Sequence, residues 1–339
     1  MTILPNRRGP ARITIRTVAE DAGVSVAAVS KVLRNAYGVS DVLRGKVEAS
    51  IARLGYRPSI AARAMRGKTY TVGVLLVTID NPFLPAVVSG INATLGDAGY
   101  KVLIATGEAK RPIETSMIDS MIDLSMDGVI LVAPQIAHQT LESFARKIPI
   151  VVIGHHEADA RGFDTINSDD RAGARMATEA LIADGRRRIA MISLRDSGDS
   201  DTDVAPMREK GYLAALAAVG LAPRIIRLPN NVADRMEELR PVLTSPDRPD
   251  ALFCWSDLDA VPALALAREI GLRVPEDLAL VGYDNSPVAA LPLVNLTSMD
   301  QHGKTLGELG AKRLLTRLGG RASAEHVLVP PDLVRRSTG

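Results

Sequence analysis

The chain has 339 residues, 46% of them hydrophobic but only 3% aromatic, so its core must be built from Val, Leu, Ile and Ala. That length allows two or three domains, and no apolar run approaches the roughly 20 residues of a membrane span. The net charge of +2 divides unevenly: residues 1–68 hold 13 Lys and Arg against 4 Asp and Glu (+9), the other 271 hold 28 against 35 (−7), and a basic module on an acidic body predicts a polyanionic partner.

In chain order, MTILPNRRGP lacks the apolar core of a signal peptide, and a cytoplasmic protein is expected. TVAEDAGVSVAAVSKVL (17–33) then holds two short apolar-striped segments. Val18, Ala19 and Ala22 share one face of a first helix; Val29, Val32 and Leu33 share one face of a second. Neither is long enough to be stable alone, so each must bury its stripe against the other across a sharp turn at Gly23. Thr14 and Ser25 fit their N-caps. Ser40 fits the cap of a third helix, whose Val47, Ile51 and Leu54 close a three-helix core. Gly45 inside it costs about 1 kcal/mol relative to Ala. Pro58 ends this unit, and SIAARAMRGK, which favours helix, has too little apolar surface to pack alone.

From Tyr70 the rhythm changes to apolar strands alternating with helices. TVGVLLV, KVLIAT, DGVILVA and IPIVVIG form one series; RRIAMIS, PRIIRL, DALFCW and DLALVGYD form a second. Such alternation predicts parallel sheets covered on both faces, hence two doubly wound subdomains with a ligand cleft between them at the carboxyl ends of the strands. No GxGxxG follows the first strand and no Walker A sequence occurs, so neither dinucleotide nor triphosphate binding is supported. The lone Cys254 leaves no internal disulfide and reads as a small buried hydrophobe. His155-His156 does not suggest a metal site, because adjacent side chains diverge and no third ligand is indicated.

TIRTVAEDAGVSVAAVSKVL, VSDVLRGKVEASIARLGYRPSIAARAMRGKT, TVGVLLVTIDNPF, RRRIAMIS, GLRVPEDLALVGYDN and LVRRSTG follow one another in an order that resembles the lactose-repressor (LacI) family of bacterial transcription regulators. The resemblance implies an α/β chain: an N-terminal helix-turn-helix three-helix domain (1–58), a hinge helix and linker (59–69), and a two-subdomain body similar to periplasmic binding proteins (70–339). Within that body the expected N-subdomain is about 70–168 plus 299–326, and the C-subdomain about 169–298 plus 327–339.

The resemblance also implies roles. The second helix enters the DNA major groove with Val26, Ala27 and Lys31 facing base edges; Lys can donate to guanine O6 and N7, whereas Val and Ala offer apolar contact to a thymine methyl. Ser30 and the backbone near Thr14 hold phosphates, as does Arg34, where the family often has Asn, and Ser25 is among the DNA-binding positions. Ala62 and Met65 lie on the hinge helix, with Met65 in place of the usual Leu wedge of the minor groove. In the cleft, Arg208 and Asp284 match ligand-contacting positions, joined by Phe83, His155, Ser256 and Gln301. Asn230 stands where several sugar-binding relatives have an aromatic platform, which leaves a sugar, sugar acid, polyol or other small polar effector open.

Three functions compete on the residues: an effector-controlled repressor, a solute-binding protein and an α/β enzyme. The basic module disfavours the second, and no nucleophile elbow or ordered triad supports the third. No cofactor and no membrane partner are expected. The terminal LVRRSTG carries no leucine heptads, so a homodimer on a near-palindromic operator is expected.

Overall fold

The computed structural model of the chain describes residues 13–33, 36–56, 67–195, 203–229 and 232–339. It divides into two compact units that meet in sequence at Thr69 and Tyr70.

The first unit contains α1 (Ile15–Asp21), α2 (Val26–Leu33) and α3 (Asp41–Leu54). The Thr14 hydroxyl accepts from the Thr17 amide and the Thr17 hydroxyl from the Thr14 amide, a reciprocal box that satisfies two otherwise orphaned donors. Ser25 Oγ accepts from the Ala28 amide at 3.1 Å and Ser40 Oγ from the Leu43 amide at 3.3 Å, so both expected caps are in place. Gly23 adopts φ 67°, the left-handed geometry that lets α2 fold back on α1. Val18, Ala19, Val29, Val32, Val47 and Tyr56 form the core of this unit. A polar tie reinforces it: buried Ser50 on α3 donates to Asp21 Oδ2 at 2.5 Å, and Arg53 pairs with the same carboxylate.

The second unit begins with β1 (Thr71–Leu76), α4 (Leu84–Asp97), β2 (Lys101–Thr106), α5 (Arg111–Asp123), β3 (Gly128–Val132), α6 (His138–Ala145), β4 (Ile150–Ile153) and β5 (Asp164–Ser168). It continues with α7 (Asp170–Ala183), β6 (Ile189–Leu194), α8 (Val204–Ala218), β7 (Arg224–Leu228), α9 (Val232–Thr244), β8 (Ala251–Cys254), α10 (Asp257–Glu269) and β9 (Ala279–Tyr283). β10 (Thr297–Asp300), α11 (Gly303–Leu318), β11 (His326–Val329) and β12 (Asp332–Val334) complete it.

Two six-stranded sheets result, ordered β11-β5-β4-β3-β1-β2 and β12-β10-β9-β8-β6-β7. Every pairing is parallel except β10 with β12. In each sheet the first strand of the series, β1 or β6, lies between the next two, which creates a crevice at its carboxyl end. The chain passes between sheets three times: after β5, at Gln301 after β10, and at Pro330-Pro331 after β11. The second crossing falls just after Asp300 and the third just after Val329. His326–Val329 pairs in parallel with Thr165–Ser168 and so stays in the first sheet.

The strand DTINS (164–168) has no apolar run, yet all five residues are buried. Its Asp164 carboxylate is held by Arg317 and Arg321 from the α11 end of the chain, and these ion pairs hold it below the usual carboxylate range although burial alone would raise it. α11 packs tightly on α4, and a Cβ at Gly307 would meet the Val87 carbonyl oxygen at 2.0 Å.

Candidate nucleic-acid interface and effector cleft

In the first unit, α2 buries Val29 and Val32 and leaves Val26, Ala27 and Lys31 on the exposed side, with Val26 41% exposed. A valine so exposed on a helix whose core stripe is already filled is a surface available to a partner. Ser30 is half-buried; Thr14 and Ser25 are exposed, with their hydroxyls engaged in capping. Arg34, Ala62, Met65 and Asn230 lie outside the described residues.

In the second unit, the carboxyl ends of the two sheets bring together Arg208, Asp284, Gln301 and Phe83. Arg208, on the first half of α8, is only 2% exposed. Its Nε donates to Asp170 Oδ1 at 2.7 Å, its Nη1 donates to the Trp255 carbonyl, and its guanidinium lies 3.5 Å from the centroid of the Tyr283 ring. Asp170 begins α7, and its second oxygen faces His156 Nε2 at 2.7 Å. Burial would raise the Asp170 carboxyl, but the Arg208 charge and the His156 hydrogen bond outweigh it and hold it below the usual range.

Asp284 follows β9 with φ 109°, in a region that side chains seldom occupy, and Asn285 follows at 44°. Such strain persists only where the surroundings over-determine it. The Asp284 carboxylate accepts from Gln301 Nε2 and, across the cleft, from Asn81 Nδ2 at 3.4 Å, while Arg208 Nη1 stands 4.0 Å away. Burial pushes Asp284 well above the ordinary carboxylate range; Arg208 only partly offsets this, and nearby Asp257 adds to it. One guanidinium thus stands before two buried carboxyl groups and bonds Asp170 directly.

Beside this cluster lies a cavity of about 330 Å3, lined among others by Phe83, Ala86, Asp284, Pro287, His302 and Lys304. Ser256, fully buried at the start of α10, turns its hydroxyl to Asp259 Oδ2 at 3.3 Å. His155 and His156 do diverge, the first to Glu157 and the second to Asp170. Cys254 is buried, and burial raises its thiol well above the usual value.

Sequence reasoning passed over Asn81, Asp170 and His156 as cleft residues. Asn81 carries a local signal, since Asn before Pro82 at a strand-to-helix junction can turn its side chain to the backbone two residues on, and it accepts from the Phe83 amide at 2.9 Å. Asp170 reads in sequence only as a helix-start acid.

The model for bacterial regulatory proteins of the lacI family matches residues 14–59, and that for the periplasmic binding protein-like domain matches residues 178–338. The ribose operon repressor of Haemophilus influenzae is 32% identical over 332 residues, covering 96% of this chain and 98% of that protein. The chain belongs to the LacI family. Other members are close in the same way: the HTH-type transcriptional repressor PurR of Photobacterium profundum is 28% identical over 96% of the chain and 98% of its own length. A lac repressor dimer solved with operator and the anti-inducer ONPF superposes with a TM-score of 0.83 at 25% identity, covering 96% of this chain and 98% of that one. A complex of the transcriptional regulator CelR with cellobiose has a TM-score of 0.69 at 29% identity, covering 97% of this chain and all of that one. As a LacI-family member with the helix-turn-helix unit intact, the chain is a DNA-binding transcriptional regulator rather than a solute-binding protein. No helix among the described residues is long and apolar enough to cross a membrane.

Proposed function

We propose that this regulator is a cytoplasmic homodimeric repressor, without catalytic activity, that binds a near-palindromic operator and releases it when a small polar metabolite enters the cleft. The observation that carries this is an exposed Val26, Ala27 and Lys31 face on α2 in a chain that also holds a buried polar cluster at the carboxyl ends of its parallel sheets. On DNA, Lys31 reads a base edge, Val26 and Ala27 add apolar contacts, and Thr14, Ser25, Ser30 and Arg34 engage phosphates. By sequence match, Ala62 and Met65 supply the hinge that enters the minor groove. In the cleft, Arg208, Asp284, Gln301, Phe83, His155 and Ser256, joined by Asn230 on sequence match alone, take a sugar, sugar acid or polyol. A hydroxyl-rich ligand suits them: carboxyl and carboxamide groups bond hydroxyls, and a guanidinium donates as a fork.

The test is in-vitro selection of duplexes from a random pool, followed by titration of the selected site with and without a metabolite panel. Lys31→Ala should weaken the selected site by about 1–3 kcal/mol and random duplex less. Equal losses on both would make Lys31 a phosphate contact. An effector that weakens operator binding must be weakened by operator to the same factor. A pool that yields no enriched sequence would refute the regulator reading.

A further inference from the structure

His155, which the resemblance assigns to the cleft, follows β4 and is held at three of its four polar points. Its backbone is clamped by the Asn167 carboxamide: the His155 amide donates to Asn167 Oδ1 at 2.7 Å, and Asn167 Nδ2 donates to the His155 carbonyl at 2.9 Å. Its ring Nε2 lies 2.9 Å from Glu157 Oε2. The other oxygen of Glu157 lies 2.5 Å from His138 Nδ1, so one carboxylate links two imidazoles. The fourth point, His155 Nδ1, is buried and has no hydrogen-bond partner among the described residues.

An ionised carboxylate can only accept a hydrogen bond. A neutral imidazole facing Glu157 through Nε2 therefore carries its proton on Nε2, and Nδ1 is left as a bare lone pair. Leaving such a group unsatisfied is costly, and a rigid clamp around it is the arrangement that preorganises a binding group.

We propose that Glu157, supported by His138, and Asn167 are positioning residues for effector recognition, which present His155 Nδ1 as a fixed hydrogen-bond acceptor. This rests on the reading of the cleft as the effector site and deepens it: the ligand atom that meets His155 carries a hydrogen, as in a hydroxyl or N–H group. A carboxylate or phosphate oxygen would meet lone pair with lone pair, so an acidic end of any ligand points elsewhere.

The experiment is imidazole-directed 1H–15N NMR on the full-length, histidine-labelled protein at pH 8. The chain has five histidines, and His155→Asn assigns the signal. The unliganded protein should show His155 protonated on Nε2 and bare on Nδ1; a proton on Nδ1, or on both nitrogens, overturns the proposal. Glu157→Ala should redistribute the two tautomers at least severalfold, with Glu157→Gln as the second variant, and spectra unchanged in both overturn it too. Titration of the wild type with D-ribose, xylitol and D-gluconate should displace the Nδ1 signal more than the Nε2 signal with at least one of them. If none displaces it in a sample that binds the selected duplex, the effector role of His155 fails while the regulator reading stands.

Discussion

Arg208→Met should destabilise the second unit by several kcal/mol, and the size follows from what the guanidinium holds. The side chain is 2% exposed, bonds Asp170 at 2.7 Å, donates to the Trp255 carbonyl and stacks 3.5 Å over Tyr283. Met fills much of the same volume, so the loss is electrostatic rather than a cavity. Removing one partner of a buried ion pair costs about 3–5 kcal/mol, because the survivor is left charged in a poor solvent. Among the described residues, Asp170 then keeps its bond to His156. Loss of the desolvated stack over Tyr283 adds up to about 2 kcal/mol, although the two losses share one group and will not add fully. The compensating double variant Arg208→Met with Asp170→Asn should recover part of the cost, since removing both charges is often close to neutral. Trp255 is the only tryptophan, and its ring lies 5.8 Å from the Arg208 guanidinium. Urea unfolding followed by tryptophan fluorescence therefore reports on this site. A single-variant cost below about 1 kcal/mol, or a double variant as costly as the two singles summed, would refute the reasoning. An effector-binding defect in Arg208→Ala is ambiguous for the same reason, because it mixes lost recognition with lost folding.

Asp284→Asn is the cleaner probe of effector recognition: burial and Asp257 push the carboxyl toward its neutral form, and Asn keeps its shape and can still accept from Gln301. Thermal stability should fall by less than about 1.5 kcal/mol, the range of an isosteric change, while calorimetry with an identified effector shows at least a tenfold loss; unchanged affinity would remove Asp284 from the site. Glu114, fully buried and hydrogen-bonded to the Gln135 amide, is pushed up to about 7 by burial. Between roughly pH 4.5 and 7 the folded state therefore holds a proton that the unfolded chain has lost, so stability falls as pH rises through that window and levels above it. Glu114→Gln should flatten this slope in urea titrations and raise stability at pH 8, and an unaltered slope would contradict the assignment. Gly307→Ala should destabilise the second unit by about 1–3 kcal/mol. The clash with the Val87 carbonyl outweighs the gain of about 1 kcal/mol that Ala brings to a helix, and a melting temperature at or above wild type would show that α4 and α11 can separate freely.

The α1–α3 unit was legible almost residue by residue, because caps, turn glycine and a 3.6-residue apolar stripe are local. Thr14, Ser25 and Ser40 act where their sequence positions indicate. Six of the eight apolar strands were legible for a related reason: a strand buried on both faces must be a continuous apolar run, as in β1, β3 and β4, whereas β2 and β7 lie at sheet edges and are partly exposed. What stayed hidden was β5, β10, β11 and β12, which are short or polar. Asp164 becomes tolerable inside a strand only because Arg317 and Arg321 arrive from about 150 residues away.

The cleft divides the same way. The family resemblance assigned Arg208, Asp284 and Gln301 to the cleft, and in the structure Gln301 bonds Asp284 while Arg208 stands 4.0 Å from it. Only the tertiary structure decided that Arg208 belongs first to Asp170, that Asn81 reaches Asp284 from the facing wall, and that His155 is clamped with one nitrogen left over. A buried charge takes its meaning from whichever partner lies within about 3 Å once water is gone. Sequence spacing carries helix and strand periods, but it does not carry the distance between residues that three chain crossings bring together.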